Sequence, residues 1–286
     1  MTDVQELIEL IKLERKGETV FLGKNYLSPW KRVFGGQVLA QALSAATQTV
    51  SEDRGVHSLH SYFLLPGDIE VPIVFEVERV RDGGSFSTRR VVAKQNGIPI
   101  FILSASFQIK GQEGFDHSLT MPQVKQPEEL QSDEEIIKKY EKYIPNSLAE
   151  LIYSRPFDFK IVEGFDLFDQ SRKAPIRHVW FKTKQKADVS PDLHQQMMTY
   201  VSDYNLLITS TLPHIDGPYP TNVFMASLDH AIWFHREVNV NDWLLYALDS
   251  PSASNTRGFT RGNIFTRDGK LVASVAQEGL IRPLNK

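Results

Sequence analysis

The chain states one architecture twice, and that repetition limits its fold more than any single motif. Residues 34–107 and 193–281 share an order: a helix, a long strand, then strands joined by glycine-containing turns. Ser58-Leu59-His60 answers Ser227-Leu228-Asp229, and Ser87-Thr88-Arg89 answers Asn255-Thr256-Arg257. Asn96-Gly97 likewise answers Asp268-Gly269. Eight residues beyond each of those last glycines the copies part, with Ala105 in the first and Gln277 in the second. A duplicated scaffold that differs at a polar position points to an enzyme with its site in the second half. Two copies in one chain mimic a symmetric dimer, yet they can diverge as no homodimer can.

Local signals fill in the repeat. Val4, Leu7, Ile8 and Ile11 recur at helical spacing, so an amphipathic helix opens the chain. A second helix is expected over residues 36–46, where Ala40, Ala42, Ala45 and Ala46 would let a sheet approach the backbone closely. Strands are expected over 57–65, 73–81, 85–95 and 98–109. Asp82-Gly83-Gly84 and Asn96-Gly97 are hairpin signals between them, because glycine accepts positive φ. Residues 111–154 break the pattern, with a polar stretch at 123–133 and a capping box, Ser132 with Glu135, for a helix through Tyr143.

A new sheet is expected where Phe157, Phe159 and Ile161 alternate onto one face, and Val179-Trp180-Phe181 adds a strand. Ser190 followed by Pro191 starts a helix. Its apolar stripe runs through Leu193, Met197, Tyr200, Val201, Tyr204 and Ile208, with Asp203 on the flank of that stripe. Strands over 223–234, 257–266 and 271–281 complete the second copy. A long helix against a twisted antiparallel sheet, repeated, is an α+β architecture. The expected organisation is an N-terminal repeat at 1–110, a connecting segment at 111–154 and a C-terminal repeat at 155–286.

Composition narrows the function classes. An apolar fraction of 41% and a charged fraction of 23% are those of a soluble globular protein. The formal charge of -3 and the lack of a basic tract argue against nucleic acid as partner. The longest apolar runs are far too short to span a bilayer. The first residues lack a secretory leader's basic region and apolar core, and Pro283-Leu284-Asn285-Lys286 is not a peroxisomal tripeptide. A cytoplasmic location is therefore expected. With no cysteine, disulfides, thiolate-bound metals and a cysteine nucleophile drop out.

Other chemistries find little support. His57 and His60, like His230 and His235, are oddly spaced on strands and so point to opposite faces. No His-Glu-x-x-His motif occurs, so no metal is expected. Gly83-Gly84-Ser85-Phe86-Ser87 lacks the closing glycine of a nucleophile elbow and joins strands. There is no phosphate-binding P-loop or dinucleotide fingerprint, and no cofactor is expected. Arg257 and Arg261 read either as phosphate ligands or as a solvated strand face.

Three polar residues stand out. Gln277 shares a strand face with Leu271, Ala273 and Val275, where an unpartnered amide would cost about 1–3 kcal/mol. Bonding to a neighbouring backbone would satisfy it equally well. Ser227 lies on the strand face opposite Leu228, His230, Ile232 and Phe234, and small serines are tolerated there for no functional reason. Asp203 sits late in its helix, where the dipole disfavours negative charge. On pattern alone each residue keeps its structural explanation.

Several ordered motifs resemble acyl-CoA thioesterase II, the TesB-like group. They are Phe34-Gly35-Gly36-Gln37-Val38, His57-Ser58-Leu59-His60-Ser61-Tyr62-Phe63-Leu64, Asp82-Gly83-Gly84-Ser85-Phe86 and Ser202-Asp203-Tyr204-Asn205. Leu228-Asp229-His230-Ala231-Ile232-Trp233-Phe234-His235 and Gln277-Glu278-Gly279 complete the set. The likeness runs almost end to end and is weakest across 111–175. It implies a tandem, or double, hotdog fold, each repeat wrapping a curved antiparallel sheet around a long central helix.

It also implies that Asp203, Ser227 and Gln277 hold a water that attacks the thioester. Ser227 stands where a threonine is usual, keeping the hydroxyl and dropping a methyl. Ala105 in place of the glutamine implies an inactive first-copy site. The implied reaction is hydrolysis of a medium- to long-chain fatty acyl-CoA to free acid and CoA, with no acyl-enzyme, metal or redox cofactor. Oxyanion donors are expected at a helix N-terminus, around the second-repeat helix, and the protein is expected to be a homo-oligomer. Two alternatives remain: a hotdog enoyl-CoA hydratase, whose usual Asp/His pair is missing near Asp203, and a non-catalytic acyl-CoA-binding module.

Overall fold

A computed structural model describes residues 3–28, 31–218, 220 and 222–284. Met1, Thr2, Asn285 and Lys286, which belong to the termini read above for sorting signals, lie outside the described residues. Helix α1 (Val4–Ile11) opens the chain, with the Asp3 side chain accepting from the Gln5 amide as its cap. Strands β1 (Glu14–Arg15) and β2 (Val20–Gly23) precede helix α2 (Gly35–Thr47). The first repeat continues through β3 (Arg54–Phe63), β4 (Ile73–Asp82), β5 (Phe86–Gln95) and β6 (Ile98–Ile109).

Two short helices follow, α3 (Asp133–Tyr140) and α4 (Asn146–Tyr153). The expected Ser132/Glu135 box caps α3. The second repeat comprises β7 (Phe157–Ile161), β8 (Ile176–Thr183), α5 (Pro191–Ser202), α6 (Leu206–Thr211), β9 (Val223–Ser227) and β10 (Asp229–Phe234). It ends with β11 (Leu244–Ser254), β12 (Arg257–Thr266) and β13 (Leu271–Pro283).

The strands form one sheet in the order β1-β2-β4-β5-β6-β3-β10-β13-β12-β11-β8-β7, with β9 added to β13. From the middle outward its two halves match: β3 beside β10, then β6 and β13, β5 and β12, β4 and β11. The seam is antiparallel and sets Ser61 opposite His230, which hold the same place in the two copies. Ser61 Oγ donates to the His230 carbonyl at 2.8 Å. One apolar core runs across both repeats. Helix α2 is buried all along residues 36–46, which accounts for its run of alanines in place of an amphipathic stripe.

Three elements are shorter than the pattern predicts. The helix expected through Tyr143 ends at Tyr140 and gives way to a 3-10 turn over Glu141–Tyr143. The helix expected to continue to Ile208 stops at Ser202, and α6 begins only after Asn205, whose φ of 70 lies in the left-handed region that asparagine tolerates. The strand expected over 223–234 divides at Leu228. There the amide donates to Glu278 and the carbonyl accepts from Phe63, so the chain passes from pairing with β13 alone to pairing with both β13 and β3. The segment before α3 packs Met121, Val124 and Leu130 on the sheet face opposite the core, against Trp180, Leu245 and Phe265. Among the described residues no helix is long and apolar enough to cross a membrane.

The two long helices meet at Gly36. A Cβ there would lie 2.2 Å from the Tyr200 carbonyl oxygen, a backbone atom that cannot rotate away. Gly36→Ala ordinarily favours a helix by about 1 kcal/mol; here it should instead cost about 3 kcal/mol through overpacking, read by denaturant unfolding. A stabilised variant would place the α2–α5 contact elsewhere.

Candidate active site

Asp203 is the C-cap of α5. A negative charge at a helix C-terminus opposes the dipole, and the structure answers that conflict from the other repeat. The Gly36 amide, in the first turn of α2, donates to Asp203 Oδ2 at 2.9 Å. An unpaired N–H at a helix N-terminus is a natural partner for an anion. Burial nevertheless dominates: it pushes the carboxyl up to about 6, against the lowering effect of hydrogen bonds from Gln277 and the Gly36 amide. The close helix approach makes this geometry possible, since a Cβ on Gly35 would itself fall 2.6 Å from Asp203 Oδ2.

The three residues singled out in the sequence converge. Ser227 ends β9, and Gln277 lies on β13. Gln277 Nε2 donates to Asp203 Oδ1 and to Ser227 Oγ, each at 2.8 Å. Both amide hydrogens are thereby used, and the serine proton stays free to donate elsewhere. Gln277 is buried behind its partners, while Asp203 and Ser227 reach the wall of a cavity of about 640 Å³.

That cavity lies between the repeats. The first contributes Phe34, Gly35, Val38, Phe63 and Phe101; the second contributes Tyr204, Leu207, Ile208 and Met225. Leu151 and Arg155 join the wall beside them. The size falls in the range of small-molecule sites, roughly 300–1,000 Å³. Arg155 is held 3.0 Å from Asp133, which burial pushes up to about 6 despite that cation. The Gly35 amide, first of α2, has no partner among the described residues and sits in the wall near Asp203.

The start of α2 lies at this site, and so does the start of the short α6, whose N-cap Asn205 lines the same cavity with Leu207 and Ile208; the second-repeat helix around which donors were expected, α5, starts elsewhere. Helix α5 starts at Pro191, and twelve residues of helix put that end about 18 Å away. The clue was present in Phe34-Gly35-Gly36, but only the packing of α2 on α5 gives it meaning.

The first copy is filled differently. Ala105 faces Arg89 across β5 and β6, where Gln277 faces Thr260 across β12 and β13. The sheet register thus sets Arg89 against Thr260 and corrects by three residues the expected match of Ser87-Thr88-Arg89 to Asn255-Thr256-Arg257. Arg89 is 2% exposed. Its guanidinium donates to Thr49 Oγ1 and the Thr49 carbonyl at 2.9 Å, just past the C-terminus of α2, and pairs with Asp82 at 2.6 Å. Arg257 and Arg261, by contrast, are exposed and paired with Glu278 and Asp249 on the sheet surface. Buried His230 meets Ser202 Oγ at 3.0 Å, and burial pushes its pKa down to about 3. Among the described residues no group of three or more His, Asp or Glu side chains could hold a metal ion.

Fold and cavity together define a double-hotdog protein with a ligand-sized chamber between its repeats. The family described as "Acyl-CoA thioesterase" matches residues 155–280, and "Acyl-CoA thioesterase N-terminal domain" matches residues 26–108. Acyl-CoA thioesterase 2 of Haemophilus influenzae is 39% identical over 284 residues, covering 99% of each chain. Human acyl-coenzyme A thioesterase 8 is 40% identical over 281 residues, 96% of this chain and 88% of that protein. The crystal structure of acyl-CoA thioesterase II TesB2 from Mycobacterium marinum superposes with a TM-score of 0.79 at 38% identity, covering 96% of this chain and 97% of that one. The chain belongs to the acyl-CoA thioesterase family.

The buried carboxyl has a thermodynamic signature. A folded-state pKa raised from 3.8 to about 6 favours folding fully below the unfolded value, and that contribution is lost as pH rises through 6. Asp203→Asn has no such group to titrate. Between pH 4 and pH 8 the unfolding free energy of the variant should therefore gain on the wild type by up to about 3 kcal/mol. A difference independent of pH in denaturant titrations would mean that Asp203 is not buried as a charge.

Proposed function

We propose that the protein hydrolyses fatty acyl-CoA thioesters, of medium to long chain, to the free acid and CoA, with Asp203, Ser227 and Gln277 as its polar machinery. The observation that carries this reading is the pair of 2.8 Å bonds joining Asp203 and Ser227 through one amide at the edge of an apolar chamber. An acyl chain suits the apolar wall, and the thioester then lies by the two polar residues. A water between them donates to Asp203 and accepts from the serine hydroxyl, leaving a lone pair for the carbonyl carbon.

As that lone pair forms the C–O bond, the water's proton passes to Asp203. The Gly35 amide, unpaired among the described residues and in the cavity wall, is the donor assigned to the developing oxyanion. Collapse of the tetrahedral intermediate breaks the C–S bond, and CoA leaves as the thiolate, later protonated. Gln277 touches neither water nor substrate in this scheme; it holds its two neighbours in register. A cytoplasmic location and a homo-oligomeric assembly are part of the same proposal.

Because the chain has no cysteine, a thiol reagent reads released CoA alone. Acyl-CoAs of graded chain length should release thiol with the wild type. Asp203→Asn should lose about 10²–10⁴-fold in kcat, the usual worth of a general base. Ligand bound without thiol release would identify a binding module, and water addition to an enoyl-CoA a hydratase.

The base works ionised, so kcat/KM should fall below a midpoint near pH 6 and level off above it. Asp133 is also pushed up to about 6, so Asp133→Asn is the control: the limb keeps its position if Asp203 is its source.

A further inference from the structure

A second, smaller cavity of about 90 Å³ adjoins the chamber, and the two share part of their walls. Arg155, Asn205 and Ile208 line both, so these three side chains form the partition between them. The smaller cavity lies against the connecting segment, with Ile136 and Ile137 of α3, Ile152 of α4 and Ile161 of β7 in its wall. Of its polar members, Asp133 and Arg155 already pair with each other at 3.0 Å.

The partition is unevenly built. Arg155 is clamped by Asp133 and lies over the rings of Phe159 and Tyr204 at 5.4 and 5.1 Å. Asn205 caps the start of α6, and its carbonyl accepts from the Thr209 hydroxyl at 2.7 Å. Ile208 is apolar, and its side chain is held by packing alone. On the wall of the chamber Arg32, Leu64 and Leu65 are exposed and mark its mouth, whereas the partition residues are half-buried. A thioester beside Asp203 and Ser227, with its CoA toward the mouth, leaves the acyl tail to run toward the partition. We infer that Ile208 sets the length of acyl chain the protein accepts: the methyl end of the chain stops against it, and the cavity behind takes a longer tail once that side chain is cut back. The effect on turnover rests on the hydrolytic reading above; the fit of the tail does not.

Ile208→Ala should join the two cavities, and Ile208→Phe should shorten the larger one. Each methylene newly buried is worth about fourfold in binding, so two of them move a chain-length ratio by about tenfold or more. In the thiol-release assay on the full chain, Ile208→Ala should raise kcat/KM for palmitoyl-CoA over octanoyl-CoA by about that factor, with octanoyl-CoA itself held within about twofold. Ile208→Phe should lower the same ratio. Ile161→Phe fills the smaller cavity from its far wall. Alone it should leave the chain-length profile unchanged, and combined with Ile208→Ala it should cancel the gain.

The second readout needs no turnover. In calorimetric titrations with free fatty acids, palmitate should bind Ile208→Ala about tenfold more tightly and Ile208→Phe about tenfold more weakly than the wild type, with octanoate unchanged in the alanine variant. Equal effects at every chain length, an unchanged profile in both Ile208 variants, or a gain that survives Ile161→Phe would each overturn the assignment. If the wild type released no thiol, the hydrolytic reading would fail on its own, and the fatty-acid titrations would still decide the role of Ile208.

Discussion

The hydrogen bond from the Gly36 amide to Asp203 is the constraint around which the two repeats are organised. It requires α2 to bring its first turn against the last turn of α5, at a distance that leaves no room for a Cβ on Gly36. It also reconciles an anion with a helix C-terminus, since an N-terminus from the other helix is aimed at the same carboxylate. Neither repeat supplies this alone. The carboxylate comes from one copy and its electrostatic support from the other, and the chamber beside them is walled by both.

Duplication explains why the arrangement occurs once. Two equal copies would place a like constellation at the C-terminus of each central helix. Here the end of α5 carries Asp203 with Gln277 behind it, while the backbone just past α2 is bound by the buried guanidinium of Arg89. A cation at a helix C-terminus is favourable without outside help, and Asp82 with Thr49 satisfies the buried charge. The first copy thus took the electrostatically easy solution and gave up space. The second kept a costly carboxylate, with its pKa raised by burial, next to a chamber that can use it.

Much of the fold was legible because periodicity and turn chemistry agree over long stretches. Asn96-Gly97 marks the β5–β6 turn, and Ser190-Pro191 the start of α5, each where the structure has it. The elements left unread are those without such signals. β1 and β2 are two and four residues long, and α4 sits in a segment whose few apolar residues pack on α3 in a separate small cluster. β11 lies between no pair of strong turn signals. The helix stripe through Tyr204 and Ile208 overran the break at Asn205, because α6 keeps packing on the same core while the chain bends.

Local chemistry sets the repetitive part: two copies, their strands and hairpins, the helix starts, and the amide of Gln277 placed on an apolar strand face. Those follow from side-chain spacing, capping and glycine turns, which act over a few residues. Tertiary structure decided what those residues meet. Asp203, Ser227 and Gln277 lie up to 74 residues apart and touch only because α5, β9 and β13 pack together. The support from Gly36 reaches across 167 residues and two repeats. A contact of that range has no trace in local pattern; its energy depends on the distance between two helix ends, which only the packed core sets.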